Sequence, residues 1–126
     1  MFQLTLDGSR VYDVHFKNQV IRFSSDESAP NPLAATYAAI AGCAGVYANK
    51  ACRALGISTA GIAIDCKPVM RGGEMVIPAK FVTEVSFPEH FTAEQKQKIL
   101  DEIAQCAVKQ MIHVGNTIEF DTHEKV

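Results

Sequence analysis

The longest uncharged stretch of the chain carries small side chains at helical spacing. No charged residue lies between Glu27 and Lys50. Alternating steps of four and three residues place side chains on one stripe of a helix. The small side chains that follow this spacing, called here the small-residue stripe, belong to Ala34, Ala38, Ala41, Gly45, Ala48 and Cys52. The pattern predicts a long helix with one face that another backbone can approach closely.

Capping residues mark both ends of this helix. Asn31 can cap the N-terminus and Pro32 suits the first helical position, whereas Gly56 suits a left-handed C-terminal cap. A helix over residues 32–55 spans roughly 36 Å, close to the diameter of a compact chain of this length. Alanine and glycine dominate it, so it is too weakly apolar for a membrane span. We therefore expect it to cross the core or to lie in a subunit interface.

Alternation of apolar and polar residues predicts five strands around the long helix. They are residues 2–6, 11–16 and 20–24 before the helix, and residues 57–69 and 74–87 after it. Turn-forming residues separate the first three, which predicts an antiparallel meander. Gly72 and Gly73 are a strong hairpin signal between the last two.

The C-terminal third predicts a second helix and a short final strand. Thr92 and Gln95 form a capping-box pattern, and an apolar stripe then continues to about His113 before Gly115. Apolar and polar residues alternate again over residues 117–121, which predicts the final strand. The order βββ-α-ββ-α-β predicts an α+β fold with a long central helix against antiparallel sheets, and a length of 126 residues predicts one domain over 1–126.

Composition narrows the function classes. The chain is 48% hydrophobic, with a formal net charge of −2 and a pI near 6.0, so it lacks the basic field that nucleic-acid binding needs. No charged-then-apolar secretory segment opens the sequence, and we expect a cytoplasmic protein. In that reducing compartment, four cysteines are expected to be buried, catalytic or metal-bound rather than disulfide-bonded.

Two cysteines are the main candidates for chemistry. Cys43 and Cys106 each fall on the apolar face of a predicted helix. No two cysteines stand two to four residues apart, which argues against a zinc site. His113 lies one heptad from Cys106, about 10 Å along a helix, and is too far to activate it directly. On the residues alone, buried structural thiols remain the alternative to a reactive pair.

Two motifs frame the candidate cysteines. Asn31-Pro32-Leu33 leads through an alanine-rich helix to Ala41-Gly42-Cys43, and Cys106-Ala107-Val108 follows on the next helix. These motifs resemble those of the OsmC/Ohr family, the osmotically inducible protein C and organic hydroperoxide resistance proteins. The predicted element order is also similar to that of the family. The resemblance implies an OsmC-like fold and an intertwined homodimer.

The resemblance further implies a thiol-dependent peroxidase without a cofactor or metal. Cys43 would attack an organic hydroperoxide, with hydrogen peroxide as a second candidate substrate, and become a sulfenic acid. Cys106 would then close a disulfide with Cys43, which an external dithiol would reduce. Apolar residues that could line the substrate pocket are Phe23, Tyr37, Ile40, Tyr47 and Met111.

The family also has an arginine that is held by a glutamate and activates the first cysteine. Arg22, in an Arg-Phe pair similar to that of the OsmC branch, is the first candidate, and Arg10 is the second. Leu33 occupies the position of the glutamate, which leaves Asp26 or Glu27 as possible substitutes.

Other positions depart from the family pattern or lie outside it. Ala107 replaces the proline that follows the second cysteine, so the last helix is expected to continue through Cys106. Cys52 and Cys66 match no family position, and we expect Cys52 to have a packing role. Leu33 in place of the glutamate favours an alternative function, a catalytically weak or inactive OsmC-like dimer that binds a hydrophobic small molecule or a protein partner, whereas the two cysteines at the family spacing favour the peroxidase.

Overall fold

The computed structural model describes residues 1–72 and 78–123 of the chain. Its elements are β1 (Val11–Phe16), β2 (Gln19–Ser24), α1 (Pro32–Leu55), β3 (Ala63–Met70), β4 (Pro78–Ser86), α2 (Ala93–Ile103) and α3 (Ala107–Val114). They form two compact units, residues 1–41 with 65–84 and residues 42–64 with 85–126, called here the first and second units. Helix α1 runs through both. The α+β class is confirmed, and the single domain expected from the length stays a prediction.

The first unit contains an antiparallel hairpin. Strands β1 and β2 pair from Val11 with Ser24 to Phe16 with Gln19, across a two-residue loop in which Lys17 has a φ of 51°. This register places Asp13 opposite Arg22. Both strands were expected from the alternation, with β2 beginning one residue earlier than predicted.

The predicted bounds of the long helix are confirmed. The Asn31 side chain accepts a hydrogen bond of 2.8 Å from the Leu33 N–H, as an N-cap should. At the other end, Gly56 has a φ of 70° and the Ile57 N–H donates to the Cys52 carbonyl at 2.9 Å. This six-to-one hydrogen bond and the left-handed glycine form a Schellman motif, which ends α1 after Leu55.

The core of the second unit forms where α1 meets α2 and the preceding loop. Its buried members are Ala44, Ala48, Ala51, Cys52, Phe91, Ile99 and Ile103. Partly buried Ile57, Ile62, Ile64, Val85 and Phe87 pack against it. Part of the small-residue stripe, Ala48 and Cys52, is therefore used inside the chain's own core.

Three predicted strands are wrong in whole or in part. Residues 2–6 do not form a strand, because within the described part of the chain their one pairing is a bridge between Gln3 and His15, with no adjacent pair to extend it into a ladder. Residues 57–69 begin their strand at Ala63, since a turn at residues 59–61 with Gly61 at a φ of 90° interrupts the run. Residues 117–121 are exposed and not in a strand.

The strand predicted over residues 74–87 is confirmed over Pro78–Ser86, which form β4. The beginning of the predicted run and Gly73 of the hairpin signal lie outside the described residues. β3 and β4 form the second two-stranded sheet.

The predicted C-terminal helix is two helices. The capping box is present, because Thr92 and Gln95 exchange hydrogen bonds of 3.1 and 2.9 Å. Helix α2 ends at Ile103, α3 begins at Ala107, and Gly115 ends α3 with a φ of 73°. The observed order is therefore ββ-α-ββ-α-α rather than βββ-α-ββ-α-β.

Candidate functional site

The second unit brings Cys43 and Cys106 together. Cys43 is half-buried on α1, whereas Cys106 lies at the N-cap of α3 with only 1% of its surface exposed. The two thiols lie close enough for Cys43 to raise the pKa of Cys106. Both are free thiols, so the contact joins a pair in the reduced state.

A break in the helix gives Cys106 this position. Its φ of −50° and ψ of 126° are extended, and its N–H closes a tight final turn by donating to the Ile103 carbonyl at 3.1 Å. The expectation that the helix continues through Cys106 in the absence of a proline is therefore wrong. The break turns the sulfur toward Cys43 at the beginning of a new helix.

Burial and the Cys43 contact raise the pKa of Cys106. Burial is the largest cause, and the neighbouring Cys43 thiol adds to it because it favours the protonated form of Cys106. The backbone N–H groups of Val108 and Lys109 act in the opposite direction and lower the pKa by less, without forming a cap hydrogen bond to the sulfur. Cys106 therefore keeps its proton at neutral pH.

In the first unit, Arg22 is held by Asp13. Its Nε and Nη2 donate to the two carboxylate oxygens of Asp13 at 2.8 and 2.9 Å, a bidentate pair. The hydrogen bonds from Arg22 are the largest cause of the lowered pKa of Asp13. The arginine side chain remains 62% exposed.

The carboxylates named from the sequence do not hold Arg22. Asp26 accepts hydrogen bonds from the N–H and hydroxyl of Ser28 instead. Glu27 and the second candidate, Arg10, make no ion pair in the part of the chain that the structure describes. Sequence reasoning missed Asp13, although the hairpin register was the signal that could have found it.

The candidate pocket residues divide between the two units. Phe23, Tyr37 and Ile40 belong to the first, where Ile40 is buried and the rings of Tyr37 and Phe81 lie 5.4 Å apart. Tyr47 and Met111 belong to the second, and Met111 is 53% exposed. A pocket that combines them stays a prediction.

The remaining cysteines are separate from this pair. Cys52 is fully buried in the core of the second unit, which agrees with the expected packing role, and burial raises its pKa. Cys66 is half-buried in β3. Across residues 1–72 and 78–123, no group of three histidine, cysteine or acidic side chains is arranged to hold a metal ion.

A family model described as OsmC-like protein matches residues 25–121. The chain belongs to the OsmC-like protein family. The matched segment of this OsmC-like chain includes both Cys43 and Cys106. No curated protein matches it significantly in sequence.

Two solved structures have similar folds. An OsmC-like protein from Mycoplasma pneumoniae has a TM-score of 0.71 at 12% identity, covering 90% of this chain and 86% of that one. A protein from Psychrobacter arcticus 273-4, provisionally described as an osmotic stress induced and detoxification response protein, has a TM-score of 0.69 at 18% identity, covering 89% and 87%. Among the described residues of this OsmC-like chain, no helix has the length and apolar character to cross a membrane.

Proposed function

We propose that this chain is a thiol-dependent peroxidase that reduces organic hydroperoxides through Cys43 and Cys106. The observation that carries the proposal is the close approach of these two thiols, which come from different helices and lie near enough for Cys43 to raise the pKa of Cys106. Membership of the OsmC-like family suggests a role in the response to peroxide-related stress. A pair of free thiols in contact is what a two-cysteine peroxidase cycle needs before oxidation.

In the first step, the Cys43 thiolate attacks one oxygen of the hydroperoxide. A sulfur–oxygen bond forms and the oxygen–oxygen bond breaks. The leaving alkoxide takes a proton and departs as the alcohol. Sulfur is oxidised to a sulfenic acid while the peroxide is reduced.

In the second step, the Cys106 sulfur attacks the Cys43 sulfur. The disulfide forms, the sulfur–oxygen bond breaks, and the hydroxide leaves as water with the proton from Cys106. An external dithiol then reduces the disulfide by two exchange reactions and becomes a disulfide itself. The existing contact between the thiols supports this closure, because little movement is needed to form the bond.

The two thiols have different roles in this proposal. Cys106 is nearly inaccessible, and its raised pKa keeps it protonated, so it is a poor first nucleophile. Cys43 is the more accessible of the two, because it is half-buried whereas Cys106 is buried. We therefore assign the attack on peroxide to Cys43 and the resolving step to Cys106.

We further propose that Arg22 is the activating cation and that Asp13 orients it. Both oxygens of Asp13 bind the guanidinium, so its plane is fixed while the rest of the side chain stays accessible. Asp13 thus supplies the carboxylate that Leu33 cannot.

A homodimer completes the proposal. Leu33 and Val46 on α1 are 43% and 66% exposed, on a helix whose residues before Lys50 are all uncharged. Apolar surface of this kind favours association with a second copy of the chain. The pocket for the organic part of the substrate, with Phe23, Tyr37, Ile40, Tyr47 and Met111, is proposed together with that dimer.

One observation favours the alternative, a dimer that binds a hydrophobic molecule or a protein partner without catalysis. Leu33 is exposed in the first turn of α1, where the family glutamate is expected. An apolar side chain at this position can contact a hydrophobic ligand, but it cannot orient an arginine as a carboxylate does.

A multiple-turnover assay distinguishes the peroxidase from the binding protein. The reduced protein is mixed with cumene hydroperoxide and excess dithiothreitol, and hydroperoxide loss is followed over time. The peroxidase consumes many equivalents per chain, and Cys43→Ser abolishes the consumption. A wild-type rate no higher than that of Cys43→Ser would leave the binding function in its place.

A further inference from the structure

The break ahead of Cys106 needs an explanation, because nothing in the local sequence forces it. A proline at the first position of α3 would enforce it, but that residue is Ala107, a strong helix former. If the helix continued, the Val108 N–H would donate to the Ala104 carbonyl and Cys106 would lie mid-helix. In the observed break that hydrogen bond is absent, and the exposed Ala104 carbonyl accepts from another donor.

The Gln110 side chain satisfies it. Its Nε2 donates to the Ala104 carbonyl at 3.0 Å, while its own N–H donates to the Cys106 carbonyl at 2.9 Å. The preceding carbonyls of Glu102 and Ile103 already accept from Gln105 and Cys106. In the described part of the chain, the Gln110 amide is the one donor to the Ala104 carbonyl.

We propose that Gln110 is a positioning residue, which holds the break between α2 and α3 and so keeps the Cys106 sulfur against Cys43. This inference rests on the proposed role of Cys106 as the resolving thiol. Without the side-chain bond, the Ala104 carbonyl is free to accept the Val108 N–H, and the continuous helix competes with the break. The Cys106 sulfur then leaves its buried position for part of the time.

The test is the accessibility of Cys106 in the full-length reduced protein, without peroxide. A short pulse of iodoacetamide is followed by peptide-resolved mass spectrometry of all four cysteines. Gln110→Glu keeps the length of the side chain but removes the donor. We expect the alkylation rate of Cys106 to rise roughly fivefold, the factor that the net strength of one hydrogen bond gives.

Three controls make the result specific. Gln105→Glu adds the same charge beside the break, at an exposed residue whose side chain makes no hydrogen bond within residues 1–72 and 78–123, and should leave Cys106 protected. Cys52, fully buried on α1, reports general loosening and should stay protected in every variant. Ala107→Pro combined with Gln110→Glu should restore protection, because Cys106 already has the extended ψ that a residue before proline adopts.

Several outcomes would overturn the inference. They are unchanged Cys106 alkylation in Gln110→Glu, an equal rise at Cys52, an equal rise in Gln105→Glu, or no rescue by Ala107→Pro. Because no step involves a hydroperoxide, the protein can pass this test even if it has no peroxidase activity. Failure of the inference is thus separate from failure of the proposed function.

Discussion

Asp13 holds Arg22 across the hairpin through two hydrogen bonds of 2.8 and 2.9 Å. The two residues are directly opposite in the β1–β2 register, so their side chains emerge on the same face of the sheet. The pair is exposed to solvent, and exposed ion pairs contribute little to folding stability. We therefore expect the ion pair to orient the Arg22 guanidinium rather than to stabilise the fold.

This relationship predicts that Asp13→Asn impairs peroxide reduction without unfolding the protein. An arginine that loses its orienting carboxylate should lower kcat/KM for cumene hydroperoxide roughly tenfold or more, because misplacing a catalytic group is costly. The melting temperature should stay close to that of the wild type. Steady-state kinetics and thermal unfolding measure the two effects.

A second exposed ion pair of the first unit is the control. Lys67 and Glu84 lie 3.6 Å apart, and Glu84→Gln should leave kcat/KM unchanged. If Asp13→Asn and the wild type have equal kcat/KM values, Asp13 does not orient a catalytic group.

The buried thiols predict a loss of stability in alkaline solution. Burial raises the pKa of Cys52 and Cys106 above the ordinary value of about 9, so the folded state holds these protons more tightly than the unfolded chain. Their stabilising contribution is complete below about pH 9 and is lost as pH rises toward the native pKa. Each thiol can contribute a slope of at most about 1.4 kcal/mol per pH unit over that window.

Urea unfolding between pH 8 and pH 10.5 measures this slope. Cys52→Ala should show a shallower decline of the unfolding free energy above pH 9 than the wild type. Cys66→Ala, at a half-buried position, controls for the removal of a thiol. Parallel curves for the wild type and Cys52→Ala would contradict the prediction.

The turn before β3 predicts that Gly61→Ala is destabilising. Gly61 has a φ of 90°, and an added Cβ would lie 2.7 Å from the Cγ of Pro88. We expect a loss of about 2 kcal/mol in unfolding free energy from backbone strain, with the contact adding to it. Denaturant unfolding gives the value.

Gly42→Ala is the matched control, because Gly42 is helical and a Cβ there meets no atom within 4 Å. It should stabilise α1 by up to about 1 kcal/mol. A neutral Gly61→Ala would show that the turn is not constrained as described.

The proposed dimer predicts that Gly45→Leu disrupts the association of two chains. A Cβ at Gly45 meets no atom within 4 Å in the described part of the chain, so an added Cβ makes no clash within one chain. If a second copy packs on the small-residue stripe, a leucine overpacks the interface. Size-exclusion chromatography with light scattering should show a wild-type dimer and a dissociated or aggregated variant. A monomeric wild type would contradict the proposal.

The long helix could be predicted to the residue because its signals are local. Asn31 and Gly56 act within one turn of the backbone that they cap, so the sequence pattern and the structure coincide. Membership of the family also followed from the short motifs around Cys43 and Cys106. The structure places these two thiols close together in the second unit, and their disulfide stays a prediction.

The sequence did not predict the Asp13–Arg22 pair, because the expected turn between β1 and β2 was one residue too long. The sequence suggested a three-residue turn after Phe16, whereas the structure uses two and pairs Phe16 with Gln19. A shift of one residue changes every cross-strand partner. The helix break at Cys106 was missed for a different reason, since it depends on the Gln110 side chain six residues beyond Ala104 rather than on a proline.

The most direct test of the central claim follows the fate of the thiols after a single oxidation. The reduced protein is treated with one equivalent of cumene hydroperoxide without a reductant, free thiols are counted, and non-reduced peptides are mapped by mass spectrometry. The account predicts the loss of two thiols per chain and one disulfide joining Cys43 to Cys106, with a sulfenic acid retained on Cys43 in Cys106→Ser. Four remaining thiols, or a disulfide through Cys52 or Cys66, would contradict it.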